Sequence, residues 1–161
     1  MGRRADALAA RVEEGAAALE AFAAGLSDAE WRTKVSARDP RPVGVVVHHV
    51  GEMYPIEIEV ARTIASGKPV AGVTWEAVAE LNAKHTAEHA AVTKEEALAY
   101  LRSRSKAAAD AVRQFSDAEL DTAAPFSLSF DAPMTAQFVL EDHALRHAWH
   151  HLARIRSAVG R

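Results

Sequence analysis

The chain of 161 residues contains no cysteine. Disulfides, cysteine-ligated zinc and a thiol nucleophile of its own are therefore excluded, and any sulfur chemistry must arrive with a ligand. Positive charge is not in excess either, since 19 basic residues face 22 acidic ones for a net charge of -3. That balance offers no footprint for a phosphate backbone or an anionic membrane surface, so neither nucleic acid nor a membrane is expected as a partner. Long apolar runs are missing as well. No segment reaches the roughly 18 uninterrupted apolar residues of a membrane span. Asp6, Glu13 and Glu14 interrupt the stretch where a secretory signal would need its apolar core. Asp6 also stands where a myristoylation signal beginning at Gly2 wants Ser or Thr. A soluble, cytoplasmic protein is expected.

What the chain does have is helical patterning. A hydrophobic content of 49% allows one substantial core, so residues 1–161 are read as a single domain. Ala, Leu and Val recur at helical spacing from about Ala5 to Leu26. Ser27 with Glu30, Thr93 with Glu96 and Ser116 with Glu119 are capping-box pairs, each predicting a helix start. Pro40 and Pro42 mark a connection, and a long helix is predicted from about Val43 to Ser66, interrupted by Pro55. Further helices are predicted from Thr74 to Ala91, from Thr93 onward, and from about Thr135 to Val159. The stretch "DTAAPFSLSFDAPM" has no helical period, and its "FSLSF" alternation suits a short strand or an extended loop. The expected fold is all-α, a four-helix bundle with a short irregular excursion before the last helix.

Histidine is the chemistry-bearing residue that stands out. The last helix holds "DHALRHAWHHL", with four of the chain's eight histidines. There Leu140, Ala144, Ala148, Leu152 and Ile155 mark the buried sector, His147 and His151 lie at its edge, and His143 and His150 turn toward Arg146 and Arg154. In "VVVHHVGEM", His49 shares a side with Val45, Met53, Ile56 and Val60 and is predicted to face the core. His48 shares a side with Gly44, Glu52, Glu59 and Arg62 and reads as a surface histidine. An i, i+4 histidine pair on one helix and a third on a facing helix suit a divalent transition metal such as Zn, Ni, Fe or Cu. Three protein ligands leave a position open, which is the catalytic pattern. The alternative is a set of core histidines hydrogen-bonded to neighbours.

A rival motif lies at His85 to His89, where "HTAEH" matches the H-x-x-E-H signature of inverted zinc peptidases. A five-residue match arises easily in a His-rich, Ala-rich helix, and no second domain is present to build a protein-substrate cleft. Capping or packing is the expected role of His85 and His89.

"VVVHHVGEM" followed about a hundred residues later by "RHAWHHLARI" resembles the DinB-like, YfiT-related superfamily of four-helix-bundle metal proteins. The intervening "WEAVAELNAKHTAEHAAVTKEEALAYL" looks like that family's third and fourth helices. The resemblance places the family's three metal-binding histidines on His49, His147 and His151, whereas His143 and His150 match no ligand position. Glu52 matches the acidic position after the first ligand, and implies a residue that orients His49 or a bound water. Arg154 departs from the pattern, which often has Gln there. The implied cofactor is a divalent transition metal, Zn or Ni first, with Fe and Mn as further candidates. Relatives include mycothiol-dependent isomerases and bacillithiol S-transferases, implying a small-molecule substrate and a low-molecular-weight thiol as partner. The second functional reading is a non-catalytic, stress-related bundle that binds a metal or another ligand. Because relatives are often dimers and the first helix has an Ala-rich surface, a homodimer is expected.

Overall fold

The computed structural model describes residues 2–161. In chain order the elements are α1 (Arg3–Ala24), α2 (Asp28–Arg32), α3 (Val43–Ala65), α4 (Trp75–Glu88), α5 (Lys94–Val112), α6 (Asp117–Asp121), β1 (Ala123–Phe126), β2 (Ala132–Thr135), α7 (Ala136–Val139) and α8 (Arg146–Val159). A π-helical segment, Leu140–Leu145, joins α7 to α8, so the last helix is continuous in direction but not in winding.

The bundle consists of α1, α3, α5 and the α7–π–α8 helix. Around it, α1 packs between α5 and α8, and α3 packs between α5 and the last helix. Leu8, Val12 and Leu19 of α1 meet Leu101 and Val112 of α5 and Leu152 and Ile155 of α8 in one buried core. Each predicted capping box forms, with Ser27, Thr93 and Ser116 accepting from the third helical N–H while Glu30, Glu96 and Glu119 reach back. Each such cap contributes about 1 kcal/mol. The helix predicted to begin at Thr74 stands outside the four. It lies on the bundle with most of its residues exposed and touches α3 only sparsely.

Two glycines set how closely α3 is approached. At Gly51 an added Cβ would come within 3.0 Å of Tyr100 Cδ1 and 3.3 Å of the Leu101 backbone, so α5 lies directly on α3 there. At Gly44 it would lie 2.2 Å from the Trp31 ring, which seats α2 against the start of α3. With neighbours on several sides, Val43 to Gly51 is buried at every position. That explains a misjudged face. A helix enclosed all round has no solvent side for periodicity to find, and His48, read from sequence as a surface residue, is 6% exposed.

The irregular excursion is an antiparallel hairpin, with Ala123 opposite Thr135 and Phe126 opposite Ala132. The strands flank "FSLSF" rather than running through it, because Ser127–Ser129 turns as a 3-10 helix. Val70 adds a parallel bridge, receiving and donating hydrogen bonds to Ser127 and Pro125 at 2.9 Å. Among the described residues, no helix is long and apolar enough to cross a membrane.

Candidate metal centre

Helix α3 delivers His49 and α8 delivers His147 and His151, one turn apart. The three side chains each offer one ring nitrogen, and those nitrogens lie within 4.8 Å of one another. Ring centroids are 5.1 Å apart for His49 and His147, 5.4 Å for His49 and His151, and 4.8 Å for His147 and His151. The trio selected from sequence is therefore brought together. Among the described residues, the group that closes within 4.8 Å at this point consists of these three alone.

Their electrostatics suit coordination. Burial pushes His49 down to about 2, with neighbouring His147 adding to the effect. The same causes hold His151 well below the ordinary imidazole range. Both rings are thus neutral, the form a metal requires. His147 is fixed differently. Its Nδ1 lies 2.6 Å from Glu57 Oε1. A carboxylate accepts, so Nδ1 carries the hydrogen of this bond, and Nε2 is the nitrogen that remains for a cation. The Nδ1 atoms of His49 and His151 are buried without a hydrogen-bond partner, an arrangement that costs free energy unless something else rewards it. The donor set, the neutral rings and the fixed tautomer all fit a borderline divalent metal.

Glu57 was not anticipated. The acidic residue expected to serve His49 was Glu52, but its carboxylate accepts from the Tyr100 hydroxyl instead. Glu57, 5% exposed, occupies a position where Ile56 was expected to point inward, whereas Ile56 is 38% exposed. A buried glutamate with nothing but periodicity to locate it gives little sequence signal.

The trio opens on a cavity of about 440 Å³. Its walls include Arg41, Arg146 and Arg154, with Trp75, Val78 and Asn82 contributed by α4. Arg41 is braced by Asp39, with Nε to Oδ1 at 2.7 Å and Nη2 to Oδ2 at 2.8 Å, which leaves its buried Nη1 unpartnered. Arg154 reaches Ser36 Oγ at 3.3 Å. His143 and His150 also line the cavity but stand outside the trio, as expected. His143 is not turned to solvent, however: it packs edge-on against Phe126 at 5.6 Å between centroids. It sits in the π-helical segment, whose extra residue per turn rotates it away from the regular helical position.

Beside the first trio, on a neighbouring face of α3, His48, His85 and His89 form a second trio whose ring nitrogens also lie within 4.8 Å, with the His85 ring 5.6 Å from that of His49. The expected capping and packing roles are present too, since His89 is the C-cap of α4 and the buried His85 is in hydrogen-bond contact with His48. Glu88, the base in the H-x-x-E-H reading, is exposed and lies 3.8 Å from Lys84.

The family model of the DinB superfamily matches residues 11–155. The chain is also similar to the solved structure of YfiT from Bacillus subtilis, described as a probable metal-dependent hydrolase with an unusual four-helix bundle topology. The TM-score is 0.73 at 18% identity, over 99% of this chain and 89% of that one. No curated protein sequence matches it. A helical bundle carrying converging histidines on its second and last long helices, matched over nearly its whole length by the family model, belongs to the DinB superfamily.

Proposed function

We propose that the chain is a divalent-metal-dependent enzyme that presents a low-molecular-weight thiol to an electrophile at His49, His147 and His151. The observation carrying this reading is the trio's open side, three convergent imidazoles facing an arginine-walled cavity. A divalent cation bound there supplies Lewis acidity that lowers the pKa of a thiol, ordinarily about 8.5. The protein's residues do the rest. Glu57 orients His147 through Nδ1, keeping Nε2 aimed at the shared point. Arg41 offers its unpartnered Nη1 to an anionic group of the substrate. Arg41, Arg146 and Arg154 are offset by Asp39, Asp142 and Glu57, so the charge of the cation itself is uncompensated and favours an anionic substrate.

Thiol chemistry is preferred over hydrolysis on the carboxylates. Water has a pKa of about 15.7 in bulk, and a hydrolytic site gains from a free general base beside the metal. Glu57 spends Oε1 on His147 and holds Oε2 buried away from solvent, and Asp142 lies 3.2 Å from Arg146 Nε. Hydrolysis, the activity suggested for YfiT, is the second reading. A non-catalytic metal holder is disfavoured by the cavity of about 440 Å³ onto which the trio opens, which leaves room for a substrate beside the metal.

The test is conjugate formation with monochlorobimane across a panel of neutral and carboxylate-bearing thiols, using protein loaded with Zn or Ni. Metal-dependent conjugation, lost in His147→Ala, is expected. Arg41→Met should raise KM for a carboxylate-bearing thiol roughly tenfold, a loss of about 1.4 kcal/mol, with a smaller change in kcat. No acceleration by loaded protein with any thiol, together with cleavage of ester or amide probes, would overturn the thiol reading in favour of hydrolysis.

A further inference from the structure

We propose that His48, His85 and His89 form a second metal site, distinct from the first, that fastens α4 to the bundle with a borderline divalent cation such as Zn, Ni or Cu. The geometry is that of a ligand set. His85 lies in the last turn of α4 and His89 is the C-cap that follows it, and His48 comes from α3 beneath them. The three offer nitrogens within 4.8 Å of one another. His48 Nδ1 and His85 Nε2 are 2.8 Å apart, and the His48 and His89 ring centroids are 4.0 Å apart.

Two imidazole nitrogens in hydrogen-bond contact share one proton. A cation at roughly 2.0–2.1 Å from each, with tetrahedral angles, needs them about 3.3 Å apart. An opening of about half an ångström thus exchanges the proton for a metal. His85 is 5% exposed, and its Nδ1 is buried with no partner.

The surroundings differ from those of the first site in a way that assigns each its role. The groove over His48 and His89 is walled by Glu88, Glu96 and Tyr100. The Tyr100 ring stacks on His48 at 4.3 Å with planes 4° apart and fixes its orientation, while Glu52 is hydrogen-bonded to the Tyr100 hydroxyl. Carboxylates around neutral imidazoles favour a resident cation. At the first site the carboxylates are matched by arginines, so a bound cation there keeps its charge for an incoming anion.

Among the described residues, α4 is held at its start by Ser127 Oγ, which bonds Val73 N and O at 3.1 and 2.8 Å, and is only lightly packed along its length. Of its apolar side chains, Trp75 is 60% and Leu81 38% exposed, and His85 is its one fully buried residue. Because Trp75, Val78 and Asn82 wall the first cavity, a cation joining His85 and His89 to His48 fixes one side of the substrate space. It takes no part in the chemistry there.

The experiment is metal stoichiometry on the full chain. Protein stripped with chelator is reloaded with Zn, desalted and measured by elemental analysis, with thermal melts in parallel. Wild type is expected to retain two equivalents. His89→Ala, a change at a half-buried position that leaves the core intact, should retain one, as should His147→Ala, and the double variant should retain none. In His147→Ala, added Zn should still raise Tm, and that rise should vanish when His89→Ala is added. One equivalent in wild type that His89→Ala leaves unchanged would overturn the proposal and show a hydrogen-bonded histidine pair. Loss of both equivalents on His147→Ala alone would overturn it too. Loss of only the His147-dependent equivalent bears on the proposed catalytic centre and leaves the second site standing.

Discussion

His48 and His49 are adjacent in sequence and about 100° apart round α3, and each converges with two histidines from another part of the chain. Only one was legible beforehand. His49, His147 and His151 follow from helical spacing plus a motif match, both local properties. His48 was misread because its burial depends on α4 and α5, whose approach is a tertiary fact allowed by Gly51. Arg41 gives no local signal at all, since it enters the cavity from the loop before α3 and its partner Asp39 lies in the same loop. Glu57 provides the sharpest residue-scale prediction. Glu57→Gln should weaken metal binding at the first site by roughly 10–100-fold, the usual effect of losing a carboxylate behind a metal-bound histidine. Glu52→Gln should leave that site's affinity unchanged, because its partner is Tyr100. Titration with a metal indicator distinguishes the two, and equal losses would show that Glu57 has no special role.

Among the elements, those with strong local signals appeared as expected. The capped starts of α2, α5 and α6 lie where Ser or Thr precedes Glu by three residues. The π-helical segment did not announce itself, as "LEDHAL" has ordinary helical composition and its winding answers to packing along α3 and α1. The hairpin was half legible, its place being clear while its strands were shifted to either side of the predicted one. Its tip holds a strained residue. Phe130 has φ of 57° and is 94% exposed, so its ring contributes little burial while its Cβ costs about 1–2 kcal/mol in the left-handed region. Phe130→Gly should therefore stabilise the protein by about 1 kcal/mol even after glycine's larger backbone entropy in the unfolded chain. Urea unfolding should show a higher midpoint at unchanged slope. A lower midpoint would mean that the ring makes a contact worth more than the strain.

For the whole molecule, the cost of assembling two histidine clusters is a dependence on pH in the metal-free state. His48, His49 and His151 are 6%, 4% and 5% exposed. Burial, the largest cause, and neighbouring imidazoles lower all three, His48 to about 4, His49 to about 2 and His151 well below its ordinary value. In the unfolded chain each returns to about 6.5. Above that pH neither state is protonated and these groups have no effect on stability. Below it the unfolded chain takes up protons that the folded chain refuses, so the unfolded state binds more and stability falls with falling pH. The loss for each group continues until its folded pKa is reached, near 4 for His48 and near 2 for His49. Each histidine contributes about 1.4 kcal/mol per pH unit. Three acting together would remove roughly 6 kcal/mol between pH 6.5 and 5, an upper figure because the groups are coupled, yet comparable with the 5–15 kcal/mol that stabilises an ordinary domain. Metal-free protein should accordingly show a steep drop in unfolding free energy from pH 6.5 to 5. His49→Leu, which replaces one of the three with an apolar side chain, should have a shallower slope by about one histidine's share. Urea titrations of chelator-treated protein at half-unit pH steps provide the measurement. A flat profile, or identical slopes for wild type and His49→Leu, would mean that these rings can take up protons without unfolding the bundle, and that the clusters open to water more readily than their burial implies.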